Sequence, residues 1–217
     1  MDKIYLDHNA TTPVAPEVLH IVTSVLQDQM GNPSSVHSMG RSARVLIDEA
    51  REQVASLIGA SPSEIVFTSG GTEANNLALL GVALGIGKTG GHIVTSQVEH
   101  PSVLNPCKQL ESLGFVVDRL KVDKLGRIDL QALENCLTEA TLLVSLQHAN
   151  SETGVLQDIV KIGEIARKKK VLFHTDAIQS VGKIPVRVQD LPVDMLSISA
   201  HKLNGPKGVG AFFLKKG

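Results

Sequence analysis

An α/β fold, a mostly parallel sheet with helices on both faces and one late antiparallel strand, is predicted for this 217-residue chain by three observations. Short apolar runs of strand length recur from residue 65 onward. Segments of helical period separate most of them, the alternation that gives a parallel sheet covered on both sides. The last two apolar runs are joined by only ten residues, 199–208, too few for a helical crossover, so that pair is expected to be antiparallel.

The elements follow in order. Residues 1–15 read as an N-terminal segment and 16–217 as one domain. Pro16 to Met30 has helical period, with Pro16 suited to a first turn, Val18, Val22, Val25 and Leu26 on one face, and Gly31 as the stop. Ser42 to Ile58 repeats the pattern through Val45, Leu46, Ala50, Val54, Leu57 and Ile58, stopped by Gly59. Strands are expected at Ile65–Phe67, His92–Thr95, Phe115–Val117, Leu142–Ser145, Val171–Phe173, Met195–Ile198 and Val209–Leu214. Helices are expected near 73–86, 102–113, 129–137 and 157–169. Lys168-Lys169-Lys170 closes the last of these, where cations suit the helix dipole.

Bulk properties exclude several classes. A composition of 42% hydrophobic and 20% charged residues is that of a globular protein. Net charge −1 and a pI near 6.7 offer no field for nucleic acid or an anionic membrane. Cys107 and Cys136 form neither a disulfide framework nor a metal-ligand spacing. Met1 to Asp7 has no cationic segment leading into a long apolar run, so no signal peptide is expected. The longest apolar stretch, Leu77 to Ile86, is too short to span a bilayer. A reducing cytoplasm is the expected location.

Four polar residues lie just beyond the carboxyl ends of expected strands: His100, Asn150, Asp176 and Lys202. Functional groups of α/β sheets gather there, so the four could share one pocket. A lysine after one strand and an acid at the end of another are what a pyridoxal 5'-phosphate enzyme needs. The amine forms a Schiff base, and the carboxylate keeps the pyridine nitrogen protonated. Taken singly, Lys202 reads equally as a surface lysine and Asp176 as a turn or capping residue. The third element is Ser69-Gly70-Gly71-Thr72-Glu73-Ala74-Asn75-Asn76, after a strand and opening a helix, where free N–H groups favour a phosphate. Thr72 is also a candidate cap of that helix. His100, in Val98-Glu99-His100-Pro101, could stack on the ring and pass protons, or be a plain loop residue. Gln179 could donate to the cofactor's phenolic oxygen, or be an ordinary residue one turn past Asp176. Gly85-Ile86-Gly87-Lys88-Thr89 imitates the end of a P-loop but has Val82 where glycine is required, and follows an apolar helix rather than preceding one. The Gly70-Gly71 turn lacks the dinucleotide-binding spacing.

With these residues in view, the chain resembles the NifS/IscS-like cysteine desulfurases, pyridoxal-phosphate enzymes of fold type I. The matching segments are Tyr5–Pro13, Gly31–His37, Glu64–Glu73, Val98–Pro101, His148–Gly154, His174–Ser180 and Ser199–Gly208, in family order over essentially the whole chain. The resemblance implies a cofactor-binding large domain, L-cysteine as substrate, alanine as product and a sulfur acceptor or scaffold partner, as in iron–sulfur cluster assembly. It implies roles by position. Lys202 would carry the Schiff base, Asp176 pair with the ring nitrogen and His100 stack on the ring. Thr72, Gly71, Ser199 and His201 would hold the phosphate, Gln179 the phenolic oxygen, and Asn150 the cofactor or substrate carboxylate. Ser151 and Asn204 depart mildly from the pattern. Members of the family continue into a small C-terminal domain that carries a nucleophilic cysteine and a substrate-binding arginine. By resemblance the large domain here is incomplete and the small domain missing, so the chain is expected to bind the cofactor without turning over cysteine alone. A homodimer is expected. The alternatives are a non-catalytic or split-enzyme fragment acting as a binding or dimerisation module, and a selenocysteine lyase-type enzyme.

Overall fold

The computed structural model describes residues 4–85 and 90–216. The P-loop-like stretch at Ile86–Thr89, the last residue of the helix expected to 86 and the first three residues of the leader reading lie outside the described residues.

Helix α1 spans Pro16–Asp28, with proline at its first position. It ends before Gly31, because Gln29 is already extended. Gly31 serves another purpose: a Cβ there would fall 2.0 Å from the Met39 carbonyl oxygen, so the turn after α1 rests directly on the next helix. That helix, α2, is Ser38–Ile58, four residues longer at its start than the periodicity predicts. Its cap is His37, whose Nδ1 accepts from the Gly40 N–H, a role that sequence rules give to smaller polar residues. Gly59, at φ +69°, ends it as expected. The buried face runs through Gly40, Ala43, Ala55 and Ile58, whereas Val45 and Leu57 are exposed. Of the expected face, Ile58 is fully buried and Val54 packs against the core, so the periodicity places the end of the helix and misses the small residues Gly40 and Ala43 at its start.

Strands β1 (Ile65–Thr68), β2 (His92–Ser96), β3 (Val116–Leu120), β4 (Thr141–Gln147), β5 (Leu172–Asp176), β6 (Met195–Ser199) and β7 (Gly210–Leu214) form one sheet in the order β1-β7-β6-β5-β4-β2-β3. Strand β7 lies antiparallel to both β1 and β6, and the remaining pairs are parallel. Helices α3 (Gly71–Gly85) and α4 (Pro101–Ser112) cover one face, where Ala74, Leu79, Cys107 and Leu110 pack on Ile93, Leu143, Met195 and Phe212. Helices α2, α5 (Leu130–Cys136) and α6 (Ile159–Lys168) cover the other, with Ile58, Leu133 and Ile162 against Val144, Phe173 and Leu196. Asp129 caps α5 and Asp158 caps α6 through backbone N–H groups two or three residues on. Residues 177–194 join β5 to β6 without a helix.

The register aims the site. On the α3/α4 face each central strand changes from apolar to polar along its length. Leu143 gives way to Ser145 and Gln147, and Met195 to Ser197 and Ser199; on β5 the corresponding pair is His174 and Asp176. His174, fully buried, bonds Ser145 Oγ at 2.9 Å and Ser197 Oγ at 2.9 Å, linking three strands one step before the sheet's carboxyl edge.

Candidate active site

At that edge a cavity of about 580 Å³ opens between β-strand ends, the start of α3 and residues 7–10. Gly71, Thr72, His100, Asp176, Gln179, Ser199, His201 and Lys202 all line it. Asn150 does not. Its Oδ1 accepts from the Glu152 and Thr153 N–H groups, both at 2.9 Å, and its amide donates to the Val98 carbonyl at 3.2 Å. The amide therefore shapes the loop that brings Ala149, Ser151 and Glu152 to the wall, rather than facing the cavity itself.

Asp176 ends β5 and is 7% exposed. One carboxylate oxygen accepts from the Ile178 N–H at 3.0 Å and the other from Asn75 Nδ2 at 2.8 Å. Both partners are neutral, so burial pushes its pKa upward, opposed by these hydrogen bonds and, more weakly, by the nearby His100 and Lys202. Asn75 also donates to Ser102 Oγ at 2.9 Å, and Ser102 Oγ lies 2.7 Å from His100 Nδ1. The Ser102 backbone N–H donates to that same Nδ1 at 3.1 Å. Nδ1 is thus an acceptor, which places the imidazole proton on Nε2. His100 is at once the N-cap of α4 and a cavity residue.

The sequence reading includes Asn75 in the glycine-turn motif but gives neither it nor Ser102 a role at the site. Asn75 lies one turn beyond Gly71 on α3, and only the packing of α3 across the sheet brings it to a residue 101 positions away. Gln147, Asp7 and Asn9 also line the cavity unanticipated.

Lys202 sits on the short 3₁₀ turn Ala200–Lys202 after β6. Its Nζ donates to the carbonyl oxygens of Asn9 and, at 2.8 Å, Ala10. Burial lowers its pKa, with Lys183 adding to the effect and Asp7, Asp176 and Glu152 opposing it. Burial also lowers the pKa of His201, helped by Lys202 and Lys207, so that ring is neutral at pH 7. Its Nδ1 lies 3.1 Å from Thr11 Oγ1, and its carbonyl accepts from Thr12.

Around the start of α3 the backbone forms a tight cradle. Gly70 has φ +151°; a Cβ on Gly71 would fall 2.1 Å from Ile178 Cδ1, and one on Gly210 would fall 2.7 Å from the Gly70 backbone. Thr72 is the second residue of α3 rather than its cap. The first N–H groups of a helix have no intrahelical partner, so this corner can hold an anion. A second hollow of about 490 Å³ shares Gly71, Thr72, Ser199 and His201 with the main cavity. A pyridoxal phosphate fits this donor set. A protonated ring nitrogen supplies the cation that buried Asp176 lacks, the phosphate matches the glycine cradle, and the lysine supplies the amine. Among the described residues no cluster of His, Cys, Asp or Glu suits a metal ion, and no helix is long and apolar enough to cross a membrane.

The geometry is that of a cofactor-binding α/β domain, and comparison with known proteins gives its family. The profile of the family described as aminotransferase class-V matches residues 4–217, and the chain belongs to that family. Pyridoxal phosphate is the cofactor of this class. A protein named cysteine desulfurase IscS from Dictyoglomus turgidum is 51% identical over 215 residues, covering 99% of this chain and 55% of the relative. A solved structure of a NifS-like protein superimposes with TM-score 0.96 at 43% identity, covering 100% of this chain and 60% of that one. A structure described as SspA in complex with cysteine gives TM-score 0.95 at 43% identity, over 98% of this chain and 61% of that one. The chain spans about half the length of the curated relatives it matches.

Proposed function

We propose that the protein is a pyridoxal-phosphate-dependent cysteine desulfurase, which takes sulfur from L-cysteine, leaves alanine, and passes the sulfur to an acceptor or scaffold protein for iron–sulfur cluster assembly or related transfer. The observation that carries it is the meeting of the Lys202 amine, the His100 imidazole and the buried Asp176 carboxylate on one cavity. Relatives about half identical in sequence that are named cysteine desulfurases support the choice of substrate.

Bound pyridoxal phosphate supplies an electron sink for the pair left when an amino acid loses its α-proton. Asp176 holds the proton on the ring nitrogen, and Asn75 and the Ile178 N–H orient that carboxylate. Lys202 Nζ, once released from the Asn9 and Ala10 carbonyls, takes the proton from the substrate's α-carbon; its lowered pKa raises the fraction of neutral amine able to do so. His100 holds a proton at Nε2 over the cavity. Neither cysteine is set to receive sulfur: Cys107 is fully buried with its thiol pushed up to about 11, and the Cys136 thiol bonds the Leu133 carbonyl, so the thiolate that attacks the substrate sulfur would be supplied from outside these 217 residues. A homodimer in the cytoplasm completes the reading.

The test is the visible spectrum of the purified protein with pyridoxal phosphate. An absorption band present in the parent, lost in Lys202→Ala and altered by L-cysteine is expected. A band that persists in Lys202→Ala, or one indifferent to L-cysteine, overturns the proposal.

A further inference from the structure

Gln179 lines the cavity, and the two ends of its amide differ in what they can do: Oε1 only accepts, and Nε2 donates twice. Lys183, in the turn that follows β5, places its ammonium 2.6 Å from Oε1. An ammonium cannot accept a hydrogen bond, so it can bond only to the oxygen, and Nε2 must face the other way. There Nε2 donates to the Asn9 carbonyl at 2.9 Å, the same carbonyl that accepts from Lys202 Nζ. The second Nε2 hydrogen has no partner among the described residues.

We infer that Lys183 is a positioning residue of this site: it locks Gln179 in the one amide orientation that keeps a free N–H donor at the cavity wall for an anionic oxygen of the bound cofactor. Without Lys183 the Asn9 carbonyl alone holds this orientation, and an amide that turns away from it presents Oε1 instead, which repels such an oxygen. The inference rests on the pyridoxal-phosphate reading above.

Lys183 acts on Lys202 as well. The charged and titratable groups facing Lys202 are Asp7 from the N-terminal segment, Asp176 from β5, Glu152 from the loop after β4, Lys183 from the turn after β5, and neighbouring His201. Lys183 is the cation of this set that resists a proton on Lys202, second only to burial. Burial in turn lowers the pKa of Lys183 itself, as expected of an amine partly withdrawn from water. Loss of the amide donor and loss of the nearby cation both favour a proton on the lysine nitrogen, so the two effects add.

The experiment measures the pH midpoint of the visible band in the cofactor-loaded protein, together with the dissociation constant for pyridoxal phosphate. Lys183→Met removes the donor, and Lys168→Met, at the end of α6, controls for loss of a surface charge. In Lys183→Met the midpoint is expected to rise by about half a unit, a screened version of a close charge effect. The affinity for pyridoxal phosphate is expected to fall about fivefold, the scale of one net hydrogen bond. Lys168→Met is expected to change neither. Should Lys183→Met leave midpoint and affinity unchanged, or Lys168→Met move them equally, while the band still requires Lys202, the inference fails and the cofactor reading survives. Absence of the band from the parent, or its survival in Lys202→Ala, removes the cofactor reading and the inference with it.

Discussion

At the scale of single residues, buried titratable groups set how this protein responds to pH. Burial pushes the Glu99 carboxyl up to about 8, against 4.5 in an open chain, although Ser96 Oγ donates to it at 2.6 Å. Burial pushes the His174 imidazole down to about 3, against 6.5. From pH 4.5 to 8 the unfolded chain releases the Glu99 proton that the folded chain keeps, so stability falls as pH rises. From pH 6.5 down to 3 the unfolded chain takes up a proton on His174 that the folded chain refuses, so stability falls as pH drops. The two oppose each other between 4.5 and 6.5, and above 6.5 only the Glu99 loss remains. Urea unfolding should therefore show stability declining from pH 6.5 to 8, by at most about 1.4 kcal/mol per pH unit from this group. Glu99→Gln should flatten the decline; an unchanged slope would falsify the assignment of that carboxyl. Asp176, raised in the same direction, separates stability from binding. Asp176→Asn should leave the cofactor-free protein no less stable at pH 7, because a buried charge disappears. The same change should weaken pyridoxal phosphate binding about tenfold or more, measured by equilibrium dialysis, because a charge-assisted hydrogen bond is lost.

At the scale of elements, glycines mark where backbones meet, and the structure distinguishes two uses of the residue. Gly59 closes α2 at φ +69°, and a new Cβ there would meet Arg187 and Gln189 only at ordinary contact distance, 3.7 Å. Gly59→Ala should cost about 1 kcal/mol in thermal unfolding, from left-handed strain alone, and leave cofactor affinity untouched. Gly210, on β7, touches the Gly70 backbone, which cannot yield as a side chain does. Gly210→Ala should cost about 1–3 kcal/mol and also lower cofactor affinity, because it displaces the turn before α3. Equal effects of the two substitutions on affinity would show that the cradle is not shaped by this contact. The sheet puts these pieces in register: β7 enters between β1 and β6, so the glycine turn after β1 and the lysine turn after β6 end up side by side.

At the scale of the molecule, a ligand held by groups from β5, α3, α4 and the turn after β6 should stabilise the fold as a unit. Cofactor at a hundred times its dissociation constant adds about 2.7 kcal/mol, or roughly 5–10 °C in Tm for a chain of this size. Scanning calorimetry should find most of that shift missing in Lys202→Ala. The N-terminal third carries apolar side chains that the rest of the chain leaves open. Ile4, Leu6, Leu26, Met30 and Val36 are each more than three-quarters exposed, and α1 buries no residue. Burying such surface is the usual driving force of association, in keeping with the proposed homodimer. Leu26→Glu with Met30→Glu should weaken self-association in sedimentation velocity; unchanged association would exclude that face.

Much of the fold, and eight of the seventeen residues that line the cavity, could be read from the sequence and its family resemblance, where the signals are local. Seven apolar runs, the helices between them, the Gly59 stop and the short link that makes β7 antiparallel each need only a few neighbouring residues. The groups following strands at 100, 176 and 202 could be read for the same reason: in an α/β sheet, the end of a strand is a place on the molecule. Strand order, the face that α2 buries and the link from Asp176 through Asn75 and Ser102 to His100 had no such signal. So too Asn150, which follows its strand like the others but spends its amide on its own loop and on the Val98 carbonyl. These depend on which residues far apart in the chain come within hydrogen-bonding distance. Sheet pairing and helix packing decide that, and local propensity does not.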